Sequence, residues 1–129
     1  MLAEVLQKGD IFTFGRLMNV SHDGDRVSNF SPETARLKRS LCTDVPLYLQ
    51  PGDYSSSTPE IDRMVDVALR AGSLGAQING AGLGGSIMAL VEEERSSALL
   101  EAMRKNYFEP SGVTANFIRA VPVGGAGIL

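Results

Sequence analysis

"INGAGLGGSIMALV", Ile78 to Val91, sets four glycines within six residues of an otherwise apolar stretch. Gly80, Gly82 and Gly85 fit G-x-G-x-x-G, the spacing of a dinucleotide-binding turn, and Gly84 lies inside it. That reading needs a helix opening at the third glycine and an acidic residue roughly 20 positions on. Here Ser86 to Val91 follows, patterned as a buried strand, and the later region Lys105-Asn106-Tyr107 reads as helix. The context fails. A Walker loop is excluded because no Gly-Lys-Ser/Thr follows. What remains is strand, glycine turn, strand, with Leu74 to Asn79 before the turn. A two-residue hairpin needs only one or two glycines for its positive φ angles. The surplus leaves two readings open: a plain hairpin, or a loop whose bare N–H groups meet a ligand or another segment.

Working outward, "STPEIDRMVDVALRAG" carries the clearest helical signal. Ser57 and Glu60 have capping-box spacing, Pro59 suits the first turn, and Gly72 suits the C′ stop. Ile61, Met64, Val65, Ala68 and Leu69 make one apolar face. Upstream, residues 2–8 read as the end of a helix that stops at Gly9-Asp10. Ile11, Phe14, Leu17 and Met18 recur at helical spacing, and that helix is expected to end near Ser21 to Gly24. His22 then falls in its last turn, where a cation suits the dipole; a catalytic base is the other reading. Downstream, Glu92 to Tyr107 reads as a helix with Leu99, Leu100 and Met103 facing in. Asn116 to Val123 reads as a last strand. Runs of like elements, rather than strict alternation, predict an α+β domain with helices on one face of an antiparallel sheet.

Residues 24–53 differ. They hold three of the six prolines and one helix signal, Ser31 as N-cap with Pro32 at N1, fading by Leu41. "VPLYLQPGD" is expected to be extended. Fast amide exchange is expected across Asp25 to Asn29 and Val45 to Gly52.

The chain has 129 residues, which predicts one domain across 1–129, and a net charge of −3. Arg36, Lys38 and Arg39 are the nearest approach to a basic cluster and read as a solvated helix face, so no nucleic-acid footprint is expected. No apolar run has the roughly 20 residues that span a bilayer. The opening Met1 to Lys8 is amphipathic and does not read as a signal peptide. The single Cys42 reads as a buried thiol in a reducing compartment, so a cytoplasmic location is expected.

Three stretches, in order, carry a family resemblance. "GAQINGAGLGGSIMALV" resembles the third, glycine-rich motif of the GHMP kinases (galactokinase, homoserine, mevalonate and phosphomevalonate kinases) in its galactokinase form, G-x-R-M-T-G-G-G-F-G-G-C-x-V-A-L. "FGRLMNVSHDG" resembles F-G-x-L-M-x-x-S-H, and "DYSSSTPEID" resembles D-Y-x-V-S-x-P-E-L-D. The resemblance implies a C-terminal GHMP domain with a ferredoxin-like sandwich. It implies transfer of the ATP γ-phosphate, with Mg²⁺, to a sugar hydroxyl in the complete kinase. It places Tyr54 on the family tyrosine that contacts the sugar, and Gly80, Gly82, Gly84 and Gly85 on a loop that braces the active site. Glu60 and Asp62 also match, and neither is read as catalytic.

No stretch matches the family's ATP loop, P-x-x-x-G-L-S-S-S-A, or its catalytic Asp. Those belong to an N-terminal domain, so this chain alone is expected to bind neither ATP nor Mg²⁺ and to be inactive. Asn79, Ala81, Leu83 and Ser86 depart from the motif. Residues 25–52 form an insertion beside the sugar pocket, which opens the choice of sugar. The alternative function is a non-catalytic sugar-binding or interaction module derived from such a kinase. Apolar surface near Leu83, Tyr54 and Leu47 to Leu49 would face the N-terminal partner, and without it a two-fold homodimer is expected.

Overall fold

The computed structural model describes residues 2–39, 44–80 and 85–121. The elements run α1 (Leu2–Gln7), α2 (Ile11–Asp25), α3 (Pro32–Arg39), a 3-10 turn (Leu47–Leu49), α4 (Pro59–Arg70), β1 (Gly75–Ile78), β2 (Ile87–Leu90), a 3-10 turn (Glu93–Arg95) and α5 (Ser96–Met103). From α5 the chain continues through a π-helical turn (Arg104–Phe108) into a last short turn, α6 (Glu109–Ser111). The domain is α+β, as expected. No helix among the described residues is long and apolar enough to cross a membrane.

The strands expected on either side of the glycines are present. β1 and β2 pair antiparallel with Gly75 opposite Leu90 and Ile78 opposite Ile87. The ladder extends outward through Leu74 N–H to Leu90 O at 2.8 Å and Asn79 N–H to Ser86 O at 3.0 Å.

The other edge of β1 is covered by α2, not by a strand. The Asn19 carboxamide oxygen accepts from Ala76 N–H at 2.9 Å, and His22 Nδ1 accepts from Ile78 N–H at 3.3 Å. Residues three apart on a helix are neighbours on one face, and residues two apart on a strand point the same way. Asn19-x-x-His22 therefore meets the alternate amides of one strand edge. Two glycines bring the backbones that close. A β-carbon at Gly15 would lie 2.5 Å from the Leu74 carbonyl oxygen, and one at Gly75 would strike the Gly15 carbonyl.

The apolar core lies on the far side of β1. Val65, Val67 and Ala68 of α4 pack with Ala76, Leu99, Met103 and Tyr107. Leu100, expected to face in, is 37% exposed, because Leu99 and Met103 already define the buried stripe of α5. Phe117 packs on this core and meets Phe108 edge-on, with centroids 5.3 Å apart.

Several expected boundaries shift. α2 runs on to Asp25, past the expected stop at Gly24. α4 is capped by Thr58, whose side chain accepts from Ile61 N–H at 3.3 Å, not by Ser57 with Glu60. Proline at the first helical position forces the residue before it into extended backbone, which is the N-cap conformation. The helix expected from Glu92 begins at Ser96 and, with its π turn, reaches Ser111. Residues 116–121 of the expected last strand form no strand; residues 122–129 lie outside the described residues, as does Cys42.

Gly15→Ala should loosen α2 from β1, since the methyl group has a carbonyl oxygen in its place. A loss of about 1–3 kcal/mol is expected from such overpacking. Urea denaturation measures it, and an unchanged midpoint would show that the helix and strand can move apart freely.

Candidate functional site

Asp62 lies in the first turns of α4 and is fully buried. Its Oδ2 accepts from Val27 N–H at 2.9 Å, Ser28 N–H at 2.8 Å and the Ser28 hydroxyl at 2.9 Å. Its Oδ1 lies 3.2 Å from His22 Nε2, in a contact short of a well-aligned hydrogen bond. Burial alone would raise the carboxyl pKa; the Ser57 hydroxyl and the Val27 and Ser28 donors outweigh it and hold the pKa below its ordinary value. His22 is 1% exposed. Burial, helped by the Arg26 charge, lowers its pKa against the opposing pull of Asp62. Because Nδ1 accepts from Ile78, the neutral ring carries its proton on Nε2, toward Asp62. His22 is therefore neither the expected helix cap nor a base within reach of a substrate. It joins α2, β1 and α4.

The cation at the end of α2 is instead Lys38. Its ammonium donates to Gly24 O at 3.1 Å and to Arg26 O at 3.0 Å, where the helix leaves carbonyls unpaired. It also pairs with Asp53 at 3.1 Å and lies 5.1 Å from the centre of the Phe30 ring. The Lys38 side chain is only 8% exposed, so the expected solvated face does not extend to it. Arg26 bridges to Asp66 at 2.9 Å and Asp23 at 3.4 Å. Within Asp25 to Asn29, where fast amide exchange is expected, the amides of Arg26, Val27 and Ser28 donate hydrogen bonds, to His22 O and to Asp62.

These contacts place Tyr54. The amides of Tyr54 and Ser55 both donate to Gly24 O, at 3.0 and 3.2 Å, the same carbonyl that Lys38 reaches. Ser55 takes φ +52°, an uncommon backbone for a residue with a side chain. The Tyr54 ring lies over Gly52, where a β-carbon would come within 2.9 Å of it, and the residue is 83% exposed. It borders an open cavity of about 440 Å³. Leu17, Val20, Ser21 and Asp25 of α2 form one side; Leu47, Tyr48, Gln50 and Gly52 form the other.

Gly80 and Gly85 sit at the two ends of the hairpin turn with φ +78° and +136°. A β-carbon at either would meet nothing within 4 Å. Backbone conformation, not close approach by any described residue, demands glycine there. Neither borders the cavity beside Tyr54. Gly82, Gly84 and Leu83 lie outside the described residues. Among the described residues, no three His, Cys, Asp or Glu side chains gather where a metal ion could be held.

The pH dependence of stability follows from the two depressed pKa values. The unfolded chain takes up protons first at both groups. The stability from His22 is full above its ordinary value of 6.5 and is lost as pH falls toward the lower folded value. Asp62 contributes fully above 3.8 and is lost below that. The melting temperature should fall in two stages on acidification. The chain has a single histidine, so His22→Gln should flatten the first stage. Scanning fluorimetry across the acid range checks this, and an unchanged first stage in the variant would contradict it.

Known proteins agree with this architecture. The family model described as "GHMP kinases C terminal" matches residues 2–109. A galactokinase of Fusobacterium nucleatum subsp. nucleatum is 30% identical over 125 residues, 96% of this chain and 26% of that protein. A galactokinase of Streptococcus suis is 31% identical over 127 residues, 98% of this chain and 26% of that protein. The chain thus spans about a quarter of the length of these relatives. The crystal structure of L. major mevalonate kinase in complex with R-mevalonate superposes with a TM-score of 0.56 at 22% identity, covering 85% of this chain and 26% of that one. The chain belongs to the GHMP kinase family and corresponds to its C-terminal domain.

Proposed function

We propose that this chain is the C-terminal portion of a galactokinase-like sugar kinase and that it supplies the sugar-facing wall of the active-site cleft. The observation that carries this is the cavity beside Tyr54. It is lined by Leu17, Val20 and Ser21 of one galactokinase-like motif and Tyr54 of another, together with Asp25 and with Leu47, Tyr48, Gln50 and Gly52 of the segment between them. The phenol at its mouth can hydrogen-bond a sugar hydroxyl while its ring packs on the sugar's apolar face. ATP and Mg²⁺ would be held by an N-terminal domain, which positions the phosphates and stabilises their charge. Such a kinase would work in the cytoplasm. Galactose is the reference sugar, and the segment before Tyr54 leaves room for others.

Two outcomes are expected. This chain alone should form no ADP from galactose and Mg-ATP. A chimera that replaces the C-terminal quarter of the Fusobacterium nucleatum galactokinase with this chain should show galactose-dependent ADP formation. A folded, soluble chimera that binds ATP and still transfers no phosphate to any sugar tested would overturn the reading.

Exposed apolar surface at Leu47 (78%), Tyr48 (49%) and Tyr54 (83%) would face that partner domain. Burying a few hundred Å² of it at about 25 cal/mol per Å² favours association by several kcal/mol before entropic costs. The isolated chain should therefore form a two-fold dimer, and Leu47→Asp should weaken it without unfolding the domain. Light scattering that finds the wild-type chain monomeric would contradict the exposed seam.

A further inference from the structure

Resting on the sugar-kinase reading, we propose that Tyr48, flanked by Leu47 and Gln50, is the wall that selects the sugar, and that this wall accepts neutral sugars and rejects acidic ones. Three observations converge. The first is position: all three residues border the cavity that Tyr54 borders, opposite Leu17 and Asp25 of α2. Its volume, about 440 Å³, lies in the range of small-molecule sites.

The second is rigidity. The 3-10 turn closes with Leu49 N–H to Pro46 O at 2.9 Å and Gln50 N–H to Leu47 O at 3.1 Å, and Gln50 Nε2 donates to Val45 O at 2.6 Å. The Lys38–Asp53 pair fixes the segment's far end against α2. A wall closed on itself by these bonds and tied at its far end can discriminate shapes, because a misfitting sugar cannot deform it without breaking them.

The third is chemistry. A pyranose has apolar C–H faces and polar hydroxyl edges. Tyr48 and Tyr54 offer two rings for the faces, and Tyr48 is half-exposed, so its ring is open to a ligand. Asp25 is the one charged side chain among the described residues that border the cavity, and no basic one joins it. A sugar carboxylate or phosphate there would meet a like charge without a counter-ion.

The test is an amide-resolved NMR titration of the full chain with D-galactose and, separately, D-galacturonate, run at two protein concentrations so that competition from the dimer is read as a concentration-dependent affinity. Galactose should shift the signals of residues 47–54, and galacturonate should bind about tenfold or more weakly. Tyr48→Ala should weaken galactose binding about tenfold with unchanged circular dichroism, and Tyr48→Phe should retain it. Leu47→Ser provides a second, independent change to the same wall and should weaken binding in the same direction. Equal affinity of wild type and Tyr48→Ala, equal affinity for the two sugars, shifts confined to other regions, or no galactose binding up to about 100 mM would each overturn the proposal. The two readings fail separately. Tyr48-independent binding in an active chimera removes the wall and leaves the kinase. Tyr48-dependent binding in an inactive chimera does the reverse.

Discussion

The Asp62 carboxylate ties together segments that are far apart in the chain. Its hydrogen-bond partners, Val27 and Ser28, lie 35 and 34 residues upstream, and its other oxygen faces His22 on α2. Desolvating a carboxylate costs several kcal/mol, and only donors aimed at it offset that. Two backbone amides and a hydroxyl do so here. The geometry has a directional consequence. Residues 27 and 28 must leave α2 toward the N-terminus of α4, and the chain beyond them must return to Asp53 and Tyr54. The long segment between is therefore anchored at its root by Asp62 and at its end by Lys38 and Asp53. The cavity is lined by α2 and by the part of the chain from Leu47 to Tyr54.

The same economy appears at β1. A two-stranded sheet leaves an edge, and an unpaired edge exposes donors and acceptors that recruit other strands. Asn19 and His22 answer the edge amides of Ala76 and Ile78, and the Gly15–Gly75 contact sets the distance at which they can reach. His22 thus serves two elements at once. One nitrogen accepts from β1, and this leaves the proton on the other, facing Asp62. A charged imidazole would have a second N–H pointing at the Ile78 amide, donor against donor. The strand edge fixes the tautomer, and the tautomer fixes the polarity of the contact with α4.

Much of the fold was legible because local signals agreed. The apolar stripe of α4, the Gly72 stop and the two strands around the glycines each depend on neighbours a few residues away. The motifs that resemble those of the GHMP kinases pointed to Tyr54, and the structure gives it a cavity. What was not legible shares one feature, partners distant in sequence. Asp62 read only as a motif position without a catalytic role. His22 read as a cap because it stands near a helix end, although its i, i+3 relation to Asn19 was visible. Lys38 read as solvated because two of its partners are backbone oxygens, which look alike in every sequence, and the third, Asp53, is distant in the chain. The Asn116 to Val123 pattern suits a strand, but pairing is decided by what lies alongside.

The glycine loop and Tyr54 separate two kinds of requirement. Gly80 and Gly85 need their backbone angles, and among the described residues nothing crowds them. Tyr54 is the reverse: its backbone is held on the Gly24 carbonyl while its side chain projects into solvent. The Ser55 backbone angle, +52°, is retained although a serine there costs energy, because both flanking contacts, the shared Gly24 acceptor and the Ser55 hydroxyl on Asp53 at 3.1 Å, pull the turn into that shape. A turn held this firmly around an exposed aromatic side chain is shaped for something outside the chain. The sugar-facing reading gives that side chain a ligand, and the fixed segment from Leu47 to Gln50 gives the ligand a second surface.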